Sequence, residues 1–578
     1  MKSKNQNPFL IAIAAGLVAT SSNIHAADGT WNVDANGLWS LDTNWASSVI
    51  ADDLLSTANF TNNITADRTV SLDSDRTINR VNFSDSDTSS AGSWILDNNG
   101  TATNNLILSG TTGAASGTVP VIDVLAGKTA TISAVIEGTY GFNKTSSGTL
   151  ILTGNNTLSG SVSIFNGGKL IAGHNNAFGT ATVTINNSGS TLELADGITL
   201  NNAITIAAQG NAKGIRSGSA AITGNITLTE DVVGNAEIRV SAGGTLTLSG
   251  KISGNGFEKL DPGIIILTGT NTYTGGTQVN GGIVDFANKA AKSSGTATAG
   301  ASGIVGLGVK ASDAAYYSAT DVGNLFNGTL TGFSLNAASG VAIDTTNAGA
   351  DFDQTVALTA ARALTKLGTG TLILSQTNTY TGATNVNSGA LIVNGNISSS
   401  LLTTVASGAT LGGSGTLGKT VINGTLAIGN SPGTMTFIDT LGLNGSNVME
   451  IDGISGAGVV GGHDFINLTG IGSAGVLTYG GTMTLDMGVV FTVGSYSWNL
   501  FDMASETGTF TAITLTDQYS GNLLDTDLNG TWDLSSGNNT WQFTESSGEL
   551  SLTVIPEPDV AALIGGLGIL LLLRRRRA

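Results

Sequence analysis

Along most of this chain, apolar residues come in short runs that alternate with Thr and Ser and stop at Gly, Asn or Asp. Leu150-Ile151-Leu152, Ile265-Ile266-Leu267 and Leu372-Ile373-Leu374 are the clearest runs. Residues 181–185, 191–194, 222–229 and 245–248 follow the same habit. Branched apolar runs closed by turn residues every few positions predict short strands. No run has the length and 3.6-residue period of a solid helix, so the body is predicted to be all-β.

The pattern repeats. Gly148 to Gly160 reads GTLILTGNNTLSG, Gly263 to Gly275 reads GIIILTGTNTYTG, and Gly370 to Gly382 reads GTLILSQTNTYTG. After each apolar triplet comes Asn156-Thr157-Leu158, Asn271-Thr272-Tyr273 or Asn378-Thr379-Tyr380. Lys144, Lys259 or Lys366 stands upstream. Downstream, Ile164, Val279 or Val386 is followed by a glycine and then Leu170, Val284 or Leu391. Such units cannot bury an apolar face alone, so they must stack. Stacked strands give a solenoid that rises about 4.8 Å per coil. The copies lie more than 100 residues apart, so weaker coils must fill the gaps between them.

This unit resembles the autotransporter-associated β-strand repeat, and the resemblance implies a right-handed β-helix. The opening, with Trp31, Trp39, Asn44-Trp45 and Asn59-Phe60, is similar to the start of such chains. That resemblance covers about 35 residues per copy, near 144–172, 259–286 and 366–393. Autotransporters end in a barrel of amphipathic strands. This chain instead ends in Pro556-Glu557-Pro558, an apolar run from Val560 to Leu573, and Arg574, Arg575, Arg576 and Arg577. The 14-residue run would span roughly 21 Å as a helix, short of a full bilayer core. The arginines would hold the C-terminus on the cytoplasmic side. The tail resembles the PEP-CTERM sorting signal of Gram-negative bacteria. That resemblance implies processing by an exosortase near Pro556-Glu557-Pro558; a plain C-terminal anchor is the other reading.

The N-terminus has Lys2 and Lys4, an apolar stretch from Phe9 to Ala19, and Ile24-His25-Ala26 before Ala27. This reads as a secretory signal peptide cleaved between Ala26 and Ala27. The expected organisation is a signal helix at 1–26, a solenoid at 27–430 with an irregular insertion or uneven coils at 295–352, and a C-terminal β cap at 431–553. A sorting tail with a short transmembrane helix follows at 554–578. Trp532 and Trp541 mark the cap.

Composition narrows the partners. Of 578 residues, 81 are Gly, about twice ordinary usage. The formal charge is −18, and removing Lys2, Lys4 and the four terminal arginines takes it to −24. So acidic a body is a poor partner for nucleic acid. Cysteine is absent, which excludes disulfides, thiolate metal ligands and thiol nucleophiles.

Several stretches imitate catalytic motifs. Gly413 to Thr420 fits the P-loop expression, but strand and turn residues follow where a helix is needed. Gly429-Asn430-Ser431-Pro432-Gly433 fits the nucleophile-elbow expression without the elbow's setting. His174 and His463 are the two histidines beyond the signal and read as solvated loop residues. Asp525-x-Asp527-x-Asn529-Gly530 is similar to a calcium loop, but Ser536 stands where a bidentate acid is wanted, so a hairpin turn is expected. No catalytic residue, metal or cofactor is assigned.

The reading is an exported, non-enzymatic surface or matrix solenoid, met by exosortase and the secretion machinery. Residues 560–573 would hold it in the membrane until processing. Association with extracellular polysaccharide follows by analogy with the tail. Two other readings stand: a β-helix polysaccharide lyase or glycosidase, and an adhesin with a defined ligand, for which Tyr273 and Tyr380 are candidate contacts, although a Tyr near a turn is more often packing.

Overall fold

The computed structural model describes residues 27–557, apart from 87–91, 111–117, 208–211, 230–235, 430–431 and 469–474. The signal segment and the tail from Pro558 onward, with the two helices expected there, lie outside the described residues. Among the described residues, no helix is long and apolar enough to cross a membrane.

The chain winds as a parallel β-solenoid. A typical coil runs through three strands, such as Ile204–Ile206, Lys213–Ser217 and Ala220–Ile222. Each then pairs in parallel with its counterpart one coil on, at Ile226–Leu228, Ala236–Val240 and Thr245–Leu248. The long sheets so built have 10, 13, 14 and 9 strands. Coil length follows from the register: Thr149, Lys169, Thr191 and Gly214 are successive partners, 20, 22 and 23 residues apart.

Alternation explains why these sequences suit the coil. In Thr149–Leu152, Ser161–Ile164 and Lys169–Ala172, every second residue is buried. Leu150, Leu170, Leu192, Ile215 and Ile238 are register partners in an unbroken aliphatic column at 0 or 1% exposure. Each such side chain contributes about 1.5–3 kcal/mol on burial. With no disulfide available, these columns and the backbone ladders hold the chain together.

The three repeat copies are not superimposed along the solenoid. The first has its Lys strand in the 10-stranded sheet and its triplet strand in the 13-stranded sheet. The second uses the 13- and 14-stranded sheets, and the third the 14- and 9-stranded sheets. Each copy is therefore turned one face further round than the last. In each copy the third side has no strand, and the Asn of the signature bridges it. Asn156 Oδ1 accepts from Ile136 N at 2.7 Å, and its Nδ2 donates to Ala177 O at 2.7 Å. Asn271 does the same between Ile252 N and Ala291 O, at 2.8 and 2.7 Å. Asn378 accepts from Leu358 N at 2.9 Å. The side-chain amide thus satisfies backbone groups that a missing strand would leave orphaned.

Both ends carry aromatic clusters. Trp31, Trp39, Trp45 and Phe60 pack together at the first coil, with ring centroids 5.2–6.0 Å apart. At the other end the ladder gives way to an antiparallel sheet of Gly494–Asn499, Glu549–Val554, Asn539–Thr544 and Thr531–Ser536. Trp498 stacks on Trp541, and Phe543 packs against Phe501 and Phe510.

One expectation is corrected here. The body contains an α-helix, α1, at Ala319–Phe326. A reciprocal capping box starts it: Ser318 Oγ accepts from Asp321 N, and Asp321 accepts from Ser318 N. Val322, Leu325 and Phe326 bury its inner face. The strands Ala297–Ala299, Gly303–Gly308, Phe333–Leu335 and Gly340–Asp344 keep the ladders running through 295–352, and α1 is an excursion between two of them.

Candidate functional site

The Lys, the Asn and the Leu or Tyr of the repeat signature point inward, while Thr157, Thr272 and Thr379 are exposed. Lys144, Lys259 and Lys366 are 0% exposed and stand in the aliphatic columns; Lys259 is the register partner of Ile238 and Val279. Their ammonium groups reach the corner turn. Lys366 Nζ donates to Leu367 O, Gly368 O and Ser388 O at 2.9, 2.8 and 3.0 Å. Lys259 Nζ reaches Leu260 O, Asp261 O and Gly281 O at 2.6, 2.6 and 3.2 Å. Lys144 Nζ reaches Thr145 O and Ser146 O at 2.6 and 2.8 Å. Burial pushes all three down to about 8, and the nearby Asp123, Asp261 and Asp344 oppose that. Gly389, at φ +65°, leaves the space: a Cβ there would lie 2.8 Å from Lys366 Nζ.

Tyr273 and Tyr380 cannot meet a ligand. Both are 0% exposed, and their hydroxyls pair with Thr277 and Thr384 at 2.6 and 2.7 Å. They pack, the commoner role of a Tyr near a turn: the rings fill the lumen beside Phe257 and Phe326.

The motif-like stretches take ordinary structural places. Gly413 to Thr420 runs through the strands Thr410–Gly413, Thr416–Leu417 and Thr420–Ile422, and Lys419 is exposed at a corner. Asn430 and Ser431 lie outside the described residues. His174 Nδ1 accepts from Asn176 N at 3.0 Å within a turn. His463 differs from its solvated expectation. It is 6% exposed, burial lowers its pKa, and its Nε2 donates to Asn499 O at 3.0 Å. Its neighbour Asp464 points elsewhere, accepting from Gly433 N and Glu450 N at 2.7 and 2.9 Å, with burial pushing it up to about 7.

In the calcium-like loop, Asp525 spends both oxygens on Asn529 N and Gly530 N, at 3.1 and 2.9 Å. Among the described residues, no group of three His, Asp or Glu is placed to hold a metal. Pro556 and Glu557 are exposed beyond the last strand. Pro558, Arg574 to Arg577 and Ala26 lie outside the described residues, and Ala27 is half-buried.

One cluster has no sequence signal. Asp285 is 1% exposed with neither carboxyl oxygen hydrogen-bonded, and it lies over Gly306, where a Cβ would be 2.6 Å from Oδ1. Burial, and after it the charge of Asp344, push its pKa well above the carboxylate range. Tyr317, 5% exposed and close enough to feel Asp285, belongs to the excursion that leads into α1. The pair is sealed from solvent, so no substrate reaches it in this conformation.

What the solenoid offers outward is a regular array. On the 10-stranded sheet, Ser163, Thr184, Thr205, Thr227 and Ser253 are successive register partners, giving five hydroxyls in one column. The column is spaced by about the strand separation of 4.8 Å. Such a face can hydrogen-bond an extended polar partner at several points along the axis.

The passenger-associated-transport-repeat family matches residues 142–172, 257–285 and 364–393, the three copies described above. Over 268 residues, 43% of this chain, the sequence is 31% identical to the adhesin BmaC autotransporter of Brucella suis biovar 1 (strain 1330). The match spans 7% of that much longer relative.

Proposed function

We propose that this chain is an exported, non-enzymatic surface protein whose outer solenoid face is adhesive, wound in the right-handed sense that parallel crossovers favour. The observation that carries this reading is the direction of the signature residues. Lys366, Asn378, Tyr380 and their counterparts all face the lumen. The outer face is thereby free to carry binding groups without disturbing the coil. Similarity to an adhesin passenger supports the same class of role.

The ends complete the reading. The first 26 residues direct export. The tail is a PEP-CTERM signal held in the membrane through 560–573 and processed by an exosortase at Pro556-Glu557-Pro558. The released protein then joins the extracellular polysaccharide. Two measurements test this. The intact mass of protein recovered from outside the cell should fit a chain that starts near Ala27 and ends near Glu557. A membrane-bound chain retaining Arg577 would overturn the processing. Cells lacking the protein should attach to surfaces less than their parent, and equal attachment would overturn the adhesive role.

A further inference from the structure

The outward positions of Lys213–Ser217 and the turn after it are Gly214, Arg216 and Gly218, so Arg216 is the only outward side chain on that rung. Gly214 is held as glycine by the neighbouring backbone, whereas Gly218 meets only the tip of a side chain. A Cβ at Gly214 would lie 1.8 Å from Glu237 O, and one at Gly218 would lie 2.0 Å from an oxygen of Asp196. The rungs on either side are furnished: Glu193 and Arg239 are the register partners of Arg216, and Glu237 is that of Gly214. The result is a slot with a guanidinium at its centre. It opens into a recess of about 220 Å³ lined by Glu193, Arg216, Gly218, Arg239, Ser241 and Asp261. Its flanking rungs stand about 9.6 Å apart, twice the strand spacing, room for a single pyranose ring.

The charges beside the slot are spoken for. Lys169 pairs with Glu193 at 2.8 Å, and Arg239 pairs with Glu237 and Asp261 at 2.9 and 3.0 Å. Arg216 is exposed, and its guanidinium has no ion-pair or hydrogen-bond partner among the described residues. Arg216 is therefore a cation with no direct ion pair among the described residues, beside a recess that Gly218 leaves open. A guanidinium fork matches a planar carboxylate with two parallel hydrogen bonds. The committed carboxylates around it keep lone pairs that can accept from hydroxyl groups.

We propose that the Arg216 slot is a subsite for a uronic acid unit of a glycan, its carboxylate on Arg216 and its hydroxyls on Glu193 and Asp261. This rests on the reading of the outer face as adhesive and adds the ligand's chemistry.

The test is calorimetric titration of the mature secreted protein with oligogalacturonate, a neutral malto-oligosaccharide and a poly-aspartate peptide. Oligogalacturonate should bind and the other two should not, and raising the salt should weaken the binding. Arg216→Ala should weaken it at least tenfold and Arg216→Lys by less. Lys251→Ala, an exposed cation elsewhere, should leave it unchanged. Arg216 is exposed, so unaltered melting is expected for its variants. Absence of oligogalacturonate binding, equal binding of the neutral sugar or the peptide, or undiminished binding by Arg216→Ala would each overturn the proposal. Failure here with protein-dependent cell attachment intact overturns the subsite alone. Arg216-dependent binding in a protein that cells do not need for attachment overturns the adhesive role and leaves the subsite standing.

Discussion

The first repeat copy and the later two solve one packing problem with different chemistry. In the first, Leu158 turns into the lumen and the residue four positions on is Val162, both 0% exposed. In the second and third, Tyr273 and Tyr380 occupy that position, and the residues four positions on are Thr277 and Thr384, hydrogen-bonded to the ring hydroxyls. Apolar faces apolar, or hydroxyl faces hydroxyl. A buried phenol without a partner would bear its full desolvation cost, so the two sites must change together. The Lys and the Asn do not change, because what they satisfy is backbone: in every copy the Asn accepts from the preceding coil, although Asn378 donates to Gln376 O where Asn156 and Asn271 donate one coil on. The difference separates what the coil requires from what it tolerates.

The largest expected effect comes from breaking the shared part. Lys366→Ala takes a donor from Leu367 O, Gly368 O and Ser388 O, the first two of which keep Thr345 and Ser388 as donors, and empties the corner held open by Gly389. A loss of about 3 kcal/mol is expected, from the lost ammonium hydrogen bonds and the cavity where the side chain packed. Solenoids open locally, so the readout is amide hydrogen exchange over 364–393. Protection there should fall while that at 142–172 is unchanged. Unaltered exchange over 364–393 would mean that the lysine is ornamental.

Next comes the variable part. Thr384→Val leaves the Tyr380 hydroxyl buried with no partner, while Ser400 keeps Gly382 O as its acceptor at 3.1 Å. About 2 kcal/mol of local stability should be lost, read by the same exchange experiment.

A pH titration sharpens the shared part further. Burial holds Lys366 at about 8 in the folded chain, against 10.5 when unfolded. Between those values the unfolded chain binds more protons, so folding is favoured increasingly as pH rises from about 8 to 10.5. The urea midpoint of the parent should therefore rise through that window relative to Lys366→Met. A constant difference would show that the ammonium is not held at a lowered pKa.

These cases also show what the sequence could and could not convey. The strands and corners were legible because each is specified within a few residues: Leu372-Ile373-Leu374 alternates, and turn residues close it. The stacking was legible because such a unit cannot exist alone. The turn of one face between copies was not, because it accumulates over unmarked coils of 20, 22 and 23 residues. Helix α1 had a local signal, Ser318-x-x-Asp321, which the weak strand patterns around it obscured. Asp285 and Asp344 meet only because coils stack, and no spacing along the chain announces that. The Arg216 slot did have a local mark, a lone arginine between two glycines at alternate positions. It acquires meaning only when the ladder shows that the rungs on both sides are occupied.

The smallest expected effect is the most discriminating. Tyr380→Phe with Thr384→Val converts the third copy to the apolar arrangement of the first while keeping the ring that packs on Phe326 at 5.6 Å. Replacing both partners of a buried hydrogen bond by apolar groups of similar shape is close to neutral, whereas removing one is not. The double variant should therefore lie within about 1 kcal/mol of the parent and be more stable than Thr384→Val alone, a coupling that a double-mutant cycle measures directly. Additive losses would show that the two hydroxyls act independently. The pairing of Leu158 with Val162, and of each Tyr with its Thr, would then have no energetic basis in the corner they share.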